Sequence, residues 1–181
     1  MILLGSKAPN RNVEQHDFFF GIARELKELV PAMRAFWPEA GNSIHIDGYR
    51  RVTRVEDFQI RVVEREDTGT NTEGKKLFFI NLGGYQTGRL EEQHYTVLSV
   101  QDDRMHAMKQ AKKTVFFRTN TLKGAASHID EKYGIDVDDV YRIEDALAQE
   151  FKDKYHLEIL PAAEGEEDEI WLGYLKLDKV K

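Results

Sequence analysis

Along the first half of the chain the apolar positions switch between two periods. Phe18, Phe20 and Ile22 fall on one side of an extended segment and Phe19 on the other, which predicts a strand covered on both faces. From Leu26 the spacing changes. Leu26, Leu29, Val30, Met33, Phe36 and Trp37 recur at threes and fours, the stripe of an amphipathic helix that Pro31 is expected to kink. A further strand is expected from His45, and the alternation of Phe58, Ile60 and Val62 after Glu56-Asp57 predicts a hairpin. The apolar run Leu77 to Leu82 ends at Gly83-Gly84 and reads as a buried strand, followed by a second with Thr96, Leu98 and Val100 on one face and Val97 on the other. Met105, Met108, Val115 and Phe116 carry the next helical stripe, with Asp102 as its expected N-cap. Val140, Tyr141 and Ile143 read as a strand and Glu144 to Tyr155 as a helix. Strands at Leu157 to Leu160 and Ile170 to Leu177 close the chain.

These elements repeat. Leu4, Gly5, Arg11, Glu14, Gln15 and His16 recur at one constant offset as Leu82, Gly83, Arg89, Glu92, Gln93 and His94. At a slightly larger offset His45-Ile46-Asp47 recurs as His128-Ile129-Asp130, and Val55 and Asp57 then pair with Val137 and Asp139. The expected fold class is α+β: tandem duplicated β-β-α-β-β units with pseudo-twofold symmetry, plus a C-terminal α/β extension. The first repeat spans 1–66, a polar linker 67–76, the second repeat 77–147, and the extension 148–181. That extension is expected to pack on the repeats and to bury Ile170, Trp171, Leu172 and Leu175.

The Leu-Gly opening, the Glu-Gln-His before a strand and the later His-Ile-Asp, each present twice, resemble the bacterial domain-of-unknown-function family 1543, over Met1 to about Leu147. The resemblance implies a bacterial source and a tandem, two-copy architecture. It carries no activity, cofactor or catalytic residue onto this chain.

Composition narrows the classes. With 181 residues, 41% hydrophobic and 10% aromatic, the chain is long and apolar enough to bury a core, in one large domain or two small ones. Cysteine is absent, which excludes disulfides, thiolate metal sites and a cysteine nucleophile and agrees with a cytoplasmic location. No apolar run is long enough for a bilayer, and the start of the chain is too short in apolar residues for a signal peptide, so no membrane partner is expected. The formal charge of −6 makes nucleic acid an unexpected partner too. Arg104 to Lys123 is a local basic exception, with Lys109, Lys112 and Lys113 on one helical face; a solvated face or the acidic loop Glu164 to Glu169 accounts for it without a nucleic acid.

Three groups of residues invite chemistry. Gly83, Gly88 and Arg89 have some of the spacing of a phosphate loop, but Arg89 and Leu90 replace its Lys and Ser/Thr and a strand follows where a helix is needed, so that reading is rejected. Arg11 and Arg89 remain weak anion-binding candidates. The histidines are more informative. Glu14 and His16 are two apart, as are His45 and Asp47, so each pair projects from one face of an extended backbone. Glu14, His16, His45 and Asp47, with Glu92, His94, His128 and Asp130 in the second copy, form the candidate polar site. Such sets bind zinc, manganese or iron, or supply a general acid and base. They also serve as structural pins, and that reading is preferred for His16 and His94, whereas the choice stays open for His45 and His128, each of which follows a loop that could open to solvent. No residue is assigned a catalytic role, no metal is assigned, and the cofactor is unknown.

Two functional classes follow. One is a non-catalytic module that binds a small ligand or a protein, its polar loops framing a cleft between the repeats. The other is a metal-assisted or acid/base enzyme, hydrolase-like, built on the Glu/His/His/Asp set.

Overall fold

The computed structural model describes residues 1–65, 74–86, 90–119, 125–126, 136–163 and 165–181. Strands β1 (Ile2–Ser6) and β2 (Gln15–Phe19) are followed by a 3-10 turn, Leu26–Leu29, that runs into helix α1 (Val30–Phe36). Pro31 lies in the first turn of α1, where its missing N–H has no intrahelical partner to lose; it starts the helix and does not kink it. Strand β3 (His45–Arg50) and the hairpin β4 (Arg54–Val55) and β5 (Phe58–Glu64) complete the first unit. The second comprises β6 (Lys76–Gln86), β7 (Glu92–Gln101), helix α2 (Arg104–Thr119), β8 (Ala125–Ala126) and β9 (Asp136–Arg142). The N-cap of α2 is Asp103, whose Oδ1 accepts the His106 amide at 2.9 Å, while the expected cap, Asp102, pairs with Lys75 at 3.0 Å. The expected tail helix is two short ones, α3 (Ile143–Ala146) and α4 (Gln149–Lys154), because Leu147 and Ala148 take extended backbone as Leu147 turns into the core. Strands β10 (Tyr155–Pro161) and β11 (Ile170–Lys176) follow.

The strands form antiparallel sheets: β11-β3-β1-β2, β10-β5-β4, and β7-β6-β8 with β9 also on β6. This is an α+β fold. Helix α1 and the turn before it cover one face of the first sheet, packing Met33 and Leu29 on Ile2, Leu4, Phe19 and Ile46. Helix α2 covers the sheet centred on β6 through Ala107 and Ala111, set on Phe78, Ile80, Leu82 and Val140. Met105, expected in that stripe, is 72% exposed, because the small alanines bring the helix axis close to the strands and turn Met105 outward; the side chains of Val115 and Phe116 lie outside the described residues. A third cluster joins the β10-β5-β4 sheet to β6 and β7, drawn from the first unit (Phe20, Val55, Ile60), the second (Leu77, Phe79, Val100) and the tail (Ile143, Leu147, Leu157). The alternation in β2 thus divides as its pattern requires: Phe19 enters the first cluster and Phe20 the shared one, with Phe18 packed beside it.

The tail is woven into the first unit. Strand β10 pairs with β5 from Tyr155 to Pro161, and β11 pairs with β3. The expected burial of β11 does not hold in full: Ile170 is 57% and Leu172 75% exposed, since β11 is the outermost strand of its sheet and nothing packs beyond them. Trp171 stacks on Tyr49 at 5.3 Å, and Leu175 packs against the first cluster. Just before β11, Asp168 accepts hydrogen bonds from the amides of Thr53 at 2.7 Å and Arg54 at 2.8 Å and from the Thr53 hydroxyl, so the acidic loop is tied to the first hairpin at this residue. Burial by itself would raise the Asp168 carboxyl, but these three donors and the Arg50 guanidinium outweigh it and hold it below the usual carboxylate range. A carboxyl depressed in the folded state adds stability that is fully present above its unfolded value, about 3.9, and is lost as pH falls through the lower folded value. The expected result is that Asp168→Asn flattens the decline of the urea midpoint below about pH 4; an unchanged acid limb would show that Asp168 adds nothing to folding.

Register corrects one alignment. Gly5 faces His16 across β1–β2, and Gly83 faces His94 across β6–β7. On the other side of these strands Gly5 faces His45, but Gly83 faces Asp136, with a register shift one step further along in each case. Asp136, not His128, therefore takes the place opposite the glycine, and Val137 pairs with Leu82 as Ile46 pairs with Leu4, so it is no counterpart of Val55. The identical tripeptide misleads because strand pairing is set by alternation and bulge position, not by letters. His128 and Asp130 lie outside the described residues.

Candidate functional site

Three strands bring the first polar set together. Gly5 in β1 stands between His16 of β2 and His45 of β3, and cross-strand partners project to one face. In β3 Ile46 pairs with Leu4 and Gly48 with Leu3, which leaves Asp47 as the extra residue of a bulge. Bulges re-aim side chains, and here the Asp47 carboxylate turns to the same side as His45. Glu14, just ahead of β2, closes the set from the far edge.

The distances are short. His45 Nε2 lies 2.8 Å from Glu14 Oε1 and 3.3 Å from Asp47 Oδ1, and its Nδ1 lies 2.8 Å from the Ser43 carbonyl. A carbonyl only accepts, so Nδ1 carries a proton and donates it there. His16 Nε2 comes within 3.1 Å of Asp47 Oδ2 but out of hydrogen-bond alignment, so that buried oxygen has no hydrogen-bond partner. His45 is 4% exposed, and it is His16 that stands half in water. The His45 ring is covered by Tyr174 of β11, with centroids 4.3 Å apart. A Cβ at Gly5 would come within 2.3 Å of Asp47 Oδ2 and 2.5 Å of His45 Nε2, so only glycine leaves room for this cluster.

Sequence reasoning missed Tyr174 and the role of Gly5. The repeated Leu-Gly pair was a signal for the glycine; Tyr174 had none, since its strand arrives from the far end of the chain. In the second unit His94 and Glu92 stand 3.6 Å apart, and Asn81 Nδ2 lies 3.3 Å from His94 Nδ1. Arg11 is on the exposed loop after β1, and Arg89, like Gly88, lies outside the described residues. Among the described residues Glu14, His45 and Asp47 are the one group of three carboxylate or imidazole side chains close enough to share a cation.

A cleft of about 1040 Å³ opens elsewhere, between the first unit, β6–β7 and the tail. Phe20, Ile60, Leu77, Leu98 and Leu157 line it together with Arg24, Arg50 and Arg51. None of Glu14, His16, His45 or Asp47 lines it.

No helix among the described residues is long and apolar enough to cross a membrane. No curated protein matches the chain. The crystal structure of a protein Il1583 from Idiomarina loihiensis shares the fold, with a TM-score of 0.62 and 21% identity over 97% of this chain and 94% of that one. Residues 11–62, the segment that holds Glu14, His16, His45 and Asp47, match the family model Domain of Unknown Function (DUF1543).

Proposed function

We propose that the protein is a non-catalytic binding module whose small ligand, an amphipathic anion, occupies the cleft between the two units. The observation that carries this reading is the composition of the cleft walls. Apolar side chains from both units and the tail meet there beside Arg24, Arg50 and Arg51, while Glu25, Glu28 and Glu64 also line the cleft, so the anion is placed at the partly buried Arg50 guanidinium. Val62, on the same wall, is 48% exposed and available to an apolar body, whose burial contributes roughly 25 cal/mol per Å². Arg50 is largely buried, and its Nε has no hydrogen-bond partner, at 3.9 Å from Asp168. A carboxylate or sulfonate on the ligand would accept from such a guanidinium. The reading also takes the two units as copies of one β-β-α-β-β ancestor in a bacterial cytoplasmic protein, supported by the matching Gly5–His16 and Gly83–His94 registers and the absence of cysteine.

The alternative, a hydrolase-like enzyme on the Glu/His/His/Asp set, is disfavoured because those groups lie away from the cleft that would hold a substrate. A fluorescence titration with anilinonaphthalene sulfonate, followed by displacement with decanoate, tests the proposal. One saturable site per chain is expected, weakened about tenfold in Val62→Asp, a change of about 1.4 kcal/mol. Dye binding that decanoate does not displace, or that Val62→Asp leaves unchanged, removes the cleft as the site.

A further inference from the structure

We infer that the cluster at Gly5 is a divalent-cation site of the zinc, manganese or iron(II) class, with Glu14, His45 and Asp47 as ligands, separate from the cleft. The first ground is the balance of donors and acceptors. With Nδ1 donating to the Ser43 carbonyl, His45 directs its Nε2 at two carboxylate oxygens, 2.8 and 3.3 Å away. Three electron-rich atoms so placed repel one another unless a positive charge lies among them. Asp47 Oδ2, buried and without a hydrogen-bond partner, adds a fourth.

The second ground is size. Ligand atoms on a tetrahedral ion with bonds of about 2.0–2.2 Å stand about 3.3 Å apart. The three atoms here lie within 4.8 Å of one another, and His45 Nε2 is 2.8 and 3.3 Å from its neighbours, so a small ion draws them into place with little movement. Gly5 supplies the space, since any side chain there would overlap both His45 and Asp47. The hydrogen bond from Nδ1 to a backbone carbonyl is the outer-sphere contact that ligating histidines use to hold their ring and tautomer. Tyr174 shields the ring from one side, while half-exposed His16 borders Asp47 where water reaches the site.

One imidazole with two carboxylates and no thiolate sets the class. It suits zinc, manganese or iron(II) better than copper(I), which prefers sulfur, or calcium, which takes oxygen ligands. The competing account is an ion pair in which a proton, not a metal, occupies the space.

The test uses the full chain, freed of metal by a chelator and then titrated with zinc and with manganese by calorimetry. Metal content after gel filtration and the melting temperature are measured in parallel. One ion per chain and a rise in melting temperature are expected, because an ion that binds only the folded state stabilises it. Glu14→Gln, at a half-exposed position, keeps the fold and should weaken binding at least tenfold; Gly5→Ala should abolish it. Histidine-selective nitrogen NMR should show the His45 Nε2 resonance shifting with the ion while that of His94 does not. No saturable uptake by the unaltered protein, equal uptake by Glu14→Gln, or a shift at His94 in place of His45 would overturn the site.

Discussion

Replacing Phe79 by alanine is expected to lower the unfolding free energy by about 3–5 kcal/mol. Phe79 is buried in the cluster that joins the first unit, the second and the tail, and it touches two phenylalanines of the first unit, Phe18 at 5.1 Å and Phe20 at 5.3 Å between ring centroids. Its removal leaves a cavity walled by three separate parts of the chain, which cannot close without shifting whole sheets, so relaxation recovers little. Phe36 makes a similar edge contact with Phe19 but stands half in solvent, and Phe36→Ala should cost under about 1.5 kcal/mol. Urea unfolding followed by circular dichroism checks both. The slope with denaturant should stay constant, because both substitutions leave the two units unfolding together. If Phe79→Ala costs no more than Phe36→Ala, the sheets do not share a cooperative core.

The second large effect is expected at Glu56. This residue turns the β4–β5 hairpin with a φ of 52°, an unusual conformation for a side chain of its size. Its carboxylate accepts the Ser99 hydroxyl at 2.8 Å and the Val100 amide at 3.2 Å, so the hairpin of the first unit is bonded to β7 of the second. Ser99 is completely buried, and its hydroxyl loses its carboxylate acceptor when the Glu56 side chain is removed. Glu56→Ala should therefore cost about 1.5–3 kcal/mol. Glu56→Gly loses the same bonds but relaxes the positive φ, and should cost about 1 kcal/mol less. Adding Ser99→Ala to Glu56→Ala should return part of the loss, since the orphaned hydroxyl goes too. Strictly additive costs in that double-mutant cycle would mean the bond links nothing.

What the sequence by itself determined was local. The alternation of Phe18, Phe19 and Phe20, the stripe through Leu29 and Met33, and the hairpin after Val55 all follow from side-chain period, which needs no knowledge of distant partners. The polar set was visible for the same reason: Glu14 with His16 and His45 with Asp47 are pairs at the spacing of one strand face. Errors arose where a local pattern had to be matched to a distant one. His128-Ile129-Asp130 repeats the letters of His45-Ile46-Asp47, yet it is Asp136 that faces Gly83. Ile170 and Leu172 look like core residues, yet they lie on an outer strand whose backbone pairs with β3 while their side chains stay in water.

Only the tertiary structure decided that the polar pairs meet. Their meeting depends on β1 lying between β2 and β3, on the bulge that makes Asp47 the unpaired residue, and on the missing side chain of Gly5. It also depends on Tyr174, carried from the far end of the chain to cover His45. Strand order and register are set by the free energy of the whole sheet and its two packed faces, a sum over contacts distant in sequence. A site assembled from several strands is therefore written in the chain as residue types and comes into being as geometry only when the sheet closes.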